Sequence, residues 1–146
     1  MWVVRLVRQE ESVAMERRKR KFLKLVRVEL EDLSEHIRAL EEQNLARRSR
    51  GEETELVCRE NLAVLKNEEC GIRCFFRTLD SVNPDNYPDI ETMEDDIKQQ
   101  FRRKVDSCGL APATYVFARR KLERGRRYVV HEETTAAHAR TIQDTT

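Results

Sequence analysis

Any chemistry done by this 146-residue chain must come from a short stock of reactive side chains. Its four cysteines are Cys58, Cys70, Cys74 and Cys108. Cys70 and Cys74 stand four apart, a spacing that puts two thiols on one helical face, where they can oxidise or share a metal. A zinc site wants four ligands, usually with a C-x2-C type pair among them, and neither Cys108 nor the histidines supply that pattern. His131 and His138 are seven apart, whereas a metalloprotease helix needs two His four apart around a Glu. The thiols are therefore expected to be reduced and packed as small apolar side chains. Asp95 and Asp96 fall at a helix start, where the dipole explains paired acids without catalysis. No phosphate-cradling glycine loop, dinucleotide fingerprint or nucleophile elbow occurs. No catalytic, cofactor-binding or metal residue is assigned, no small-molecule substrate is implied, and the expectation is a protein that is not an enzyme.

The remaining candidates bind rather than react. Arg17, Arg18, Lys19, Arg20 and Lys21 form a basic run that suits nucleic acid or nuclear import. A second basic segment, residues 119–127, interleaves its bases with aliphatic and aromatic neighbours, which also suits RNA or an acidic surface. The first run stands directly before a leucine stripe, the order of a zipper gripping DNA with a basic arm. Yet Glu11 and Ser12 occupy positions where such an arm would carry a base-reading Asn and small residues.

That stripe is the most regular feature of the chain. Leu23, Val26, Leu30, Leu33, Ile37 and Leu40 recur in steps of three and four, and Asn44 takes the next seam position. A polar residue in a seam fixes register at some cost in stability. Phe22, Leu25 and Val28 lie beside the strict seam, so the stripe is wider than a two-stranded coil needs and suits a bundle or a partner on more than one side. These seven residues are the expected partner-binding surface. The leading function is thus a non-enzymatic protein–protein interaction protein, a coiled-coil adaptor or assembly subunit docking or self-associating through helix 1. The alternative is a nucleic-acid-binding module using 17–21 and 119–127.

Bulk composition fits helices. Charged residues are 38% and apolar ones 39%, with only four glycines and three prolines, too few of either for the turns of a sheet protein. A mean hydropathy of −0.74 speaks against a membrane span. The opening apolar run is too soon interrupted by Arg5 and Arg8 to form a signal-peptide core, so a cytoplasmic or nuclear compartment is expected. The net charge of +1 hides alternating blocks. Residues 1–28 carry +6, 29–45 carry −5, 52–100 carry −8 and 101–128 carry +7. Such blocks suit antiparallel helices that neutralise one another.

The expected fold is all-α: a long coiled-coil-like helix 1 hairpinned with two or three shorter helices. Helix 1 is placed from Glu10 to Arg48 and stops at Gly51. At about 1.5 Å per residue it would be roughly 58 Å long, longer than its neighbours can cover, and the surplus is expected to dock or self-associate. Helix 2 would present Cys58, Leu62, Leu65, Ile72, Phe76 and Leu79, with a kink or break near Gly71. A turn through Pro84 and Pro88 leads to Asp89 as N-cap of helix 3, lined by Ile90, Met93, Ile97, Phe101 and Val105. Helix 4 opens near Pro112 and carries Tyr115, Ala118 and Leu122, Tyr115 and Trp2 being possible interface anchors. The domain layout expected is an N-terminal arm over 1–9, the helical domain over 10–132 and a disordered tail over 133–146.

Overall fold

The computed structural model describes residues 2–144. They form four α-helices, α1 (Trp2–Ser49), α2 (Glu55–Ser81), α3 (Ile90–Cys108) and α4 (Pro112–Asp144), with a short 3-10 turn at Pro84–Asn86 before α3. Among the described residues there is no strand. The all-α expectation holds.

Local signals account for the ends of the helices. After α1 the Gly51 N–H bonds the Arg48 carbonyl and the Glu52 N–H reaches back to Arg47 at 3.0 Å. That closure needs a left-handed residue, and Gly51 supplies it with φ +73°. The Thr54 hydroxyl accepts the Val57 N–H at 3.3 Å and caps α2. The Asp89 carboxylate accepts the Thr92 N–H at 2.8 Å and caps α3. Pro112 sits at the first position of α4, where its missing N–H costs nothing.

Each helix runs against its neighbour, up and down. Asn44 of α1 lies by Cys58 of α2 while Arg27 lies by Asp80. Phe75 of α2 stacks on Phe101 of α3 with ring centroids 4.3 Å apart. Glu94 and Lys98 of α3 meet Arg126 and Glu123 of α4. Lys121 of α4 then returns to Glu29 of α1, and Lys21 of α1 pairs with Glu132. The core that this arrangement encloses is Phe22, Val26, Leu30, Ile72, Phe75, Met93, Ile97, Phe101 and Leu122, all shielded from water.

Several expectations are corrected. Helix α1 begins at Trp2, not Glu10, so the segment 1–9 is its first turns over the described residues and not a separate arm. Helix α2 passes Gly71 without a break. A Cβ there would sit 2.7 Å from Thr114 Cγ2, so this glycine lets α2 approach the start of α4 closely. Phe75, not Phe76, faces the core of α2; Phe76 is half-buried and stacks under the Arg27 guanidinium, 5.4 Å from its ring centroid. The tail expected to be disordered from 133 continues α4 as a helix to Asp144, exposed from Thr134 to Gln143. It contains no Gly or Pro after Gly125 to stop the helix, and Thr134, Thr135 and Thr141 bond back to carbonyls one turn earlier. Residues 145–146 lie outside the described residues.

Candidate interaction surface

The leucine stripe is placed largely inside the chain. Val26, Leu30 and Ile37 belong to the buried core, and Leu23, Leu33 and Leu40 are half-buried against it. Asn44 is spent within the monomer as well. Its side-chain oxygen accepts from Asn61 Nδ2 at 3.3 Å, and its carbonyl accepts the Cys58 thiol at 3.7 Å. Leu33, Ile37 and Leu40 do line an apolar cleft of about 240 Å³ with Ile72, Phe117 and Ala118. The neighbours along most of the stripe are α2 and α4, while α3 touches α1 little. The extra width noted at Phe22 was the sequence signal for this: Phe22 is completely buried, as a residue with helices on two sides must be.

The basic run 17–21 divides in the same way. Lys19 is only 2% exposed. Its ammonium donates to the carbonyls of Pro84 and Tyr87, each at 2.8 Å, and pairs with Glu16. That contact holds the Glu16 carboxyl below its ordinary range. Arg18 and Lys21 pair with Glu133 and Glu132 of α4. Arg17 and Arg20 face solvent. In the second basic segment Lys121 and Arg124 reach Glu29 at 2.9 and 3.7 Å, and Arg126 reaches Glu94 at 3.0 Å. Arg119 pairs with Glu123 along its own helix, and Arg120 and Arg127 are exposed with no ion pair among the described residues. Charge neutralisation between antiparallel helices is thus realised, through α1 and α3 more than through the acidic helix α2.

Glu94 is the buried centre of this network, with Lys98 at 2.9 Å and Arg126 at 3.0 Å. Burial pulls the Lys98 ammonium down, but the carboxylates of Glu94 and Glu123 outweigh it and leave its pKa raised. Partnered this way, the carboxylate is a structural ion pair. No three His, Cys, Asp or Glu side chains among the described residues come close enough to hold a metal ion.

The least covered part of the molecule is the first third of α1, where only the far end of α4 comes near, Arg140 lying by Leu6 and Val13. Followed from the core towards the N-terminus in steps of seven, the seam reads Val26, Lys19, Ser12, Arg5 on one line and Leu30, Leu23, Glu16, Gln9 on the other. It turns polar at Lys19, where the 83–89 loop and the end of α2 stop covering the helix. The apolar residues of the segment move to other faces and stand in water: Trp2 at 79%, Val3 at 72% and Val13 at 60% exposed, with Leu6 and Val7 also open. Of the two expected anchors, Trp2 lies on this open surface, whereas Tyr115 is packed against the core under the Arg102 guanidinium.

Cysteine placement also differs from expectation. Only Cys58 is buried; Cys70 and Cys108 are exposed and Cys74 is half-buried. The fold brings Cys108 beside Cys74, a juxtaposition that spacing along the chain does not signal.

These features define a four-helix up-and-down bundle with an extended first and last helix. No helix among the described residues is long and apolar enough to cross a membrane. No protein-family model, curated protein or solved structure matches the chain.

Proposed function

We propose that this chain is a non-enzymatic assembly subunit that acts through protein–protein contacts made by helix α1. The stripe first expected to dock is mostly core, so the docking role falls to the surplus of the same helix, residues 2–13. The observation that carries this reading is the exposure of Trp2, Val3, Leu6 and Val7 on the first two turns, and of Val13 further along. Monomers rarely leave large apolar side chains clustered in water, and Trp is prominent among binding hot spots. The occupant proposed is the same segment of a second copy. Cations come first on it (Arg5, Arg8) and carboxylates follow (Glu10, Glu11), so antiparallel pairing sets unlike charges side by side. A two-fold contact of this kind is self-complementary by symmetry. Action in the cytoplasm or nucleus belongs to the same proposal.

The nucleic-acid alternative has less support. Most of the bases it would use are ion-paired within the chain, and Arg17, Arg20, Arg120 and Arg127 are left to it.

Sedimentation equilibrium of the full chain and of the Leu6→Asp, Val7→Asp double variant tests the assembly reading. The expected result is a concentration-dependent dimer for the natural sequence and a monomer of unchanged helicity for the variant. A natural chain that stays monomeric at its highest soluble concentration overturns the second-copy assignment. Dimerisation that persists in the variant overturns the assignment to residues 2–13.

A further inference from the structure

Three of the four cysteines collect where α2 meets the end of α3. The turn of α2 around Gly71 lies against the connection that follows α3: a Cβ on Gly71 would stand 3.3 Å from Leu110 Cδ1. One turn on, Phe75 is stacked on Phe101. These two contacts bracket Cys74 on the part of α2 that docks at the end of α3, whose last residue is Cys108. The Cys74 thiol is pushed above its ordinary pKa, by burial first and then by the neighbouring Cys108 and Cys70. Cys70 and Cys108 are open to solvent.

We propose that Cys74 and Cys108 are an oxidative modification site, at which a peroxide closes a disulfide tying α2 to the C-terminal end of α3. Exposure makes Cys108 the thiol that meets the oxidant. Its thiolate attacks one oxygen of hydrogen peroxide, the O–O bond breaks, and Cys108 becomes a sulfenic acid while one water leaves. The Cys74 sulfur then attacks the Cys108 sulfur, the S–O bond breaks, and the hydroxyl departs as a second water with the Cys74 proton. Two thiols lose two electrons in all, and one peroxide is reduced to two waters. Cys108 sits in a terminal helical turn, which opens at lower cost than the middle of a helix, so its side chain can adjust to disulfide geometry.

The other two cysteines are poorly placed for the same bond. Cys70 and Cys74 share a helix at i and i+4, where Cβ atoms stand about 5–6 Å apart. A disulfide wants roughly 3.5–4.5 Å, so these two do not join while α2 is intact. Cys58 is buried, with its thiol 3.7 Å from the Asn44 carbonyl.

Trypsin makes the site easy to read. It cuts after Arg73, Arg77, Lys104 and Arg119, which separates Cys70 from Cys74 and releases peptides 74–77 and 105–119. The full chain would be treated with a modest excess of hydrogen peroxide, alkylated under denaturing conditions and digested without reductant. The expected product is peptide 74–77 linked to 105–119, with two thiols lost per chain, no covalent dimer and a higher melting midpoint. Cys74→Ser and Cys108→Ser abolish the product; Cys70→Ser and Cys58→Ser leave it, with circular dichroism confirming that each variant is folded. A Cys70–Cys108 link, a covalent dimer, or Cys108 driven to sulfinic acid with no linked peptide overturns the assignment.

Discussion

Helix α1 passes through two environments without a break in its backbone. From Lys19 to Asn44 it is covered by α2 and α4, and its apolar residues keep the three-four spacing of a core face. From Trp2 to Val13 large apolar residues are just as frequent along the chain, but they leave that face and stand in water. Helix formation is indifferent to the change, because neither part contains Gly or Pro to stop it. Burial, and with it stability, depends on the face. The two segments therefore divide the work of one helix: the inner part builds the bundle, and the outer part is free to meet something else.

The largest test of that division is truncation of one apolar side chain in each part. Phe22 is fully buried and touches the place where α4 comes closest: a Cβ on Gly125 would lie 3.1 Å from Val26 and 3.6 Å from Phe22. Phe22→Ala is expected to cost about 3–5 kcal/mol, the range for deleting a core aromatic ring. Val13→Ala, one segment earlier, is expected to stay within about 0.5 kcal/mol. Urea denaturation of both variants at equal, low protein concentration reads the difference. Equal losses would mean that the outer segment is held by contacts the bundle does not show.

A smaller contrast lies inside the basic run. Lys19 and Arg17 are two residues apart and carry the same charge, yet Lys19 is buried against two carbonyls and Arg17 faces water. A hydrogen bond to a charged group contributes about 1.5–3 kcal/mol, and desolvating the ammonium offsets part of two such bonds. Lys19→Ala is expected to destabilise by about 2–3 kcal/mol and to loosen the 83–89 loop, seen as faster amide exchange there. Arg17→Ala is expected to change stability by less than about 0.5 kcal/mol. If Arg17→Ala proved the costlier change, the inward placement of Lys19 would be wrong.

Much of this was legible in the sequence, for identifiable reasons. Gly51, Thr54, Asp89 and Pro112 act on backbone groups within a few residues of themselves, so the helix ends they set can be read locally. The stripe from Leu23 to Leu40 identified the inner face of α1 because periodicity records burial. Periodicity does not say what covers the face, and both a partner and the same chain were open. Lys19 was hidden because nothing in "RRKRK" marks the one lysine whose register points at the 83–89 loop. Gly71 signalled a weak point in α2, when its missing side chain is what lets Thr114 come close. The pairing of Cys74 with Cys108 depends on how α2 and α3 dock, which no short window of sequence contains. The end of α4 was misjudged for a related reason: lacking an apolar period it buries little, but Ala, Glu and Arg still favour helix.

The smallest expected effect concerns acid, and it separates the two ends of the bundle's chemistry. Asp89 caps α3, and the hydrogen bonds to Thr92 hold its carboxyl below the ordinary value of 3.8. Glu16 is likewise lowered from 4.5 by Lys19. A carboxylate whose pKa is depressed on folding adds stability that is fully present above its unfolded pKa and is lost as the pH falls through the folded value. The melting midpoint should thus be flat down to about pH 5 on this account and fall as the pH drops through and below the usual carboxylate range. Asp89→Asn keeps an N-cap acceptor of similar quality but cannot titrate. Its midpoint should lie below that of the natural chain at pH 7, where the charge at the helix N-terminus is missing, and the two should converge as the pH falls through the lowered pKa of Asp89. A variant whose midpoint ran parallel to the natural one across that range would show that Asp89 contributes through its hydrogen bond alone, leaving Glu16 and its partner Lys19 as the acid-sensitive contact at the edge of the covered half of α1.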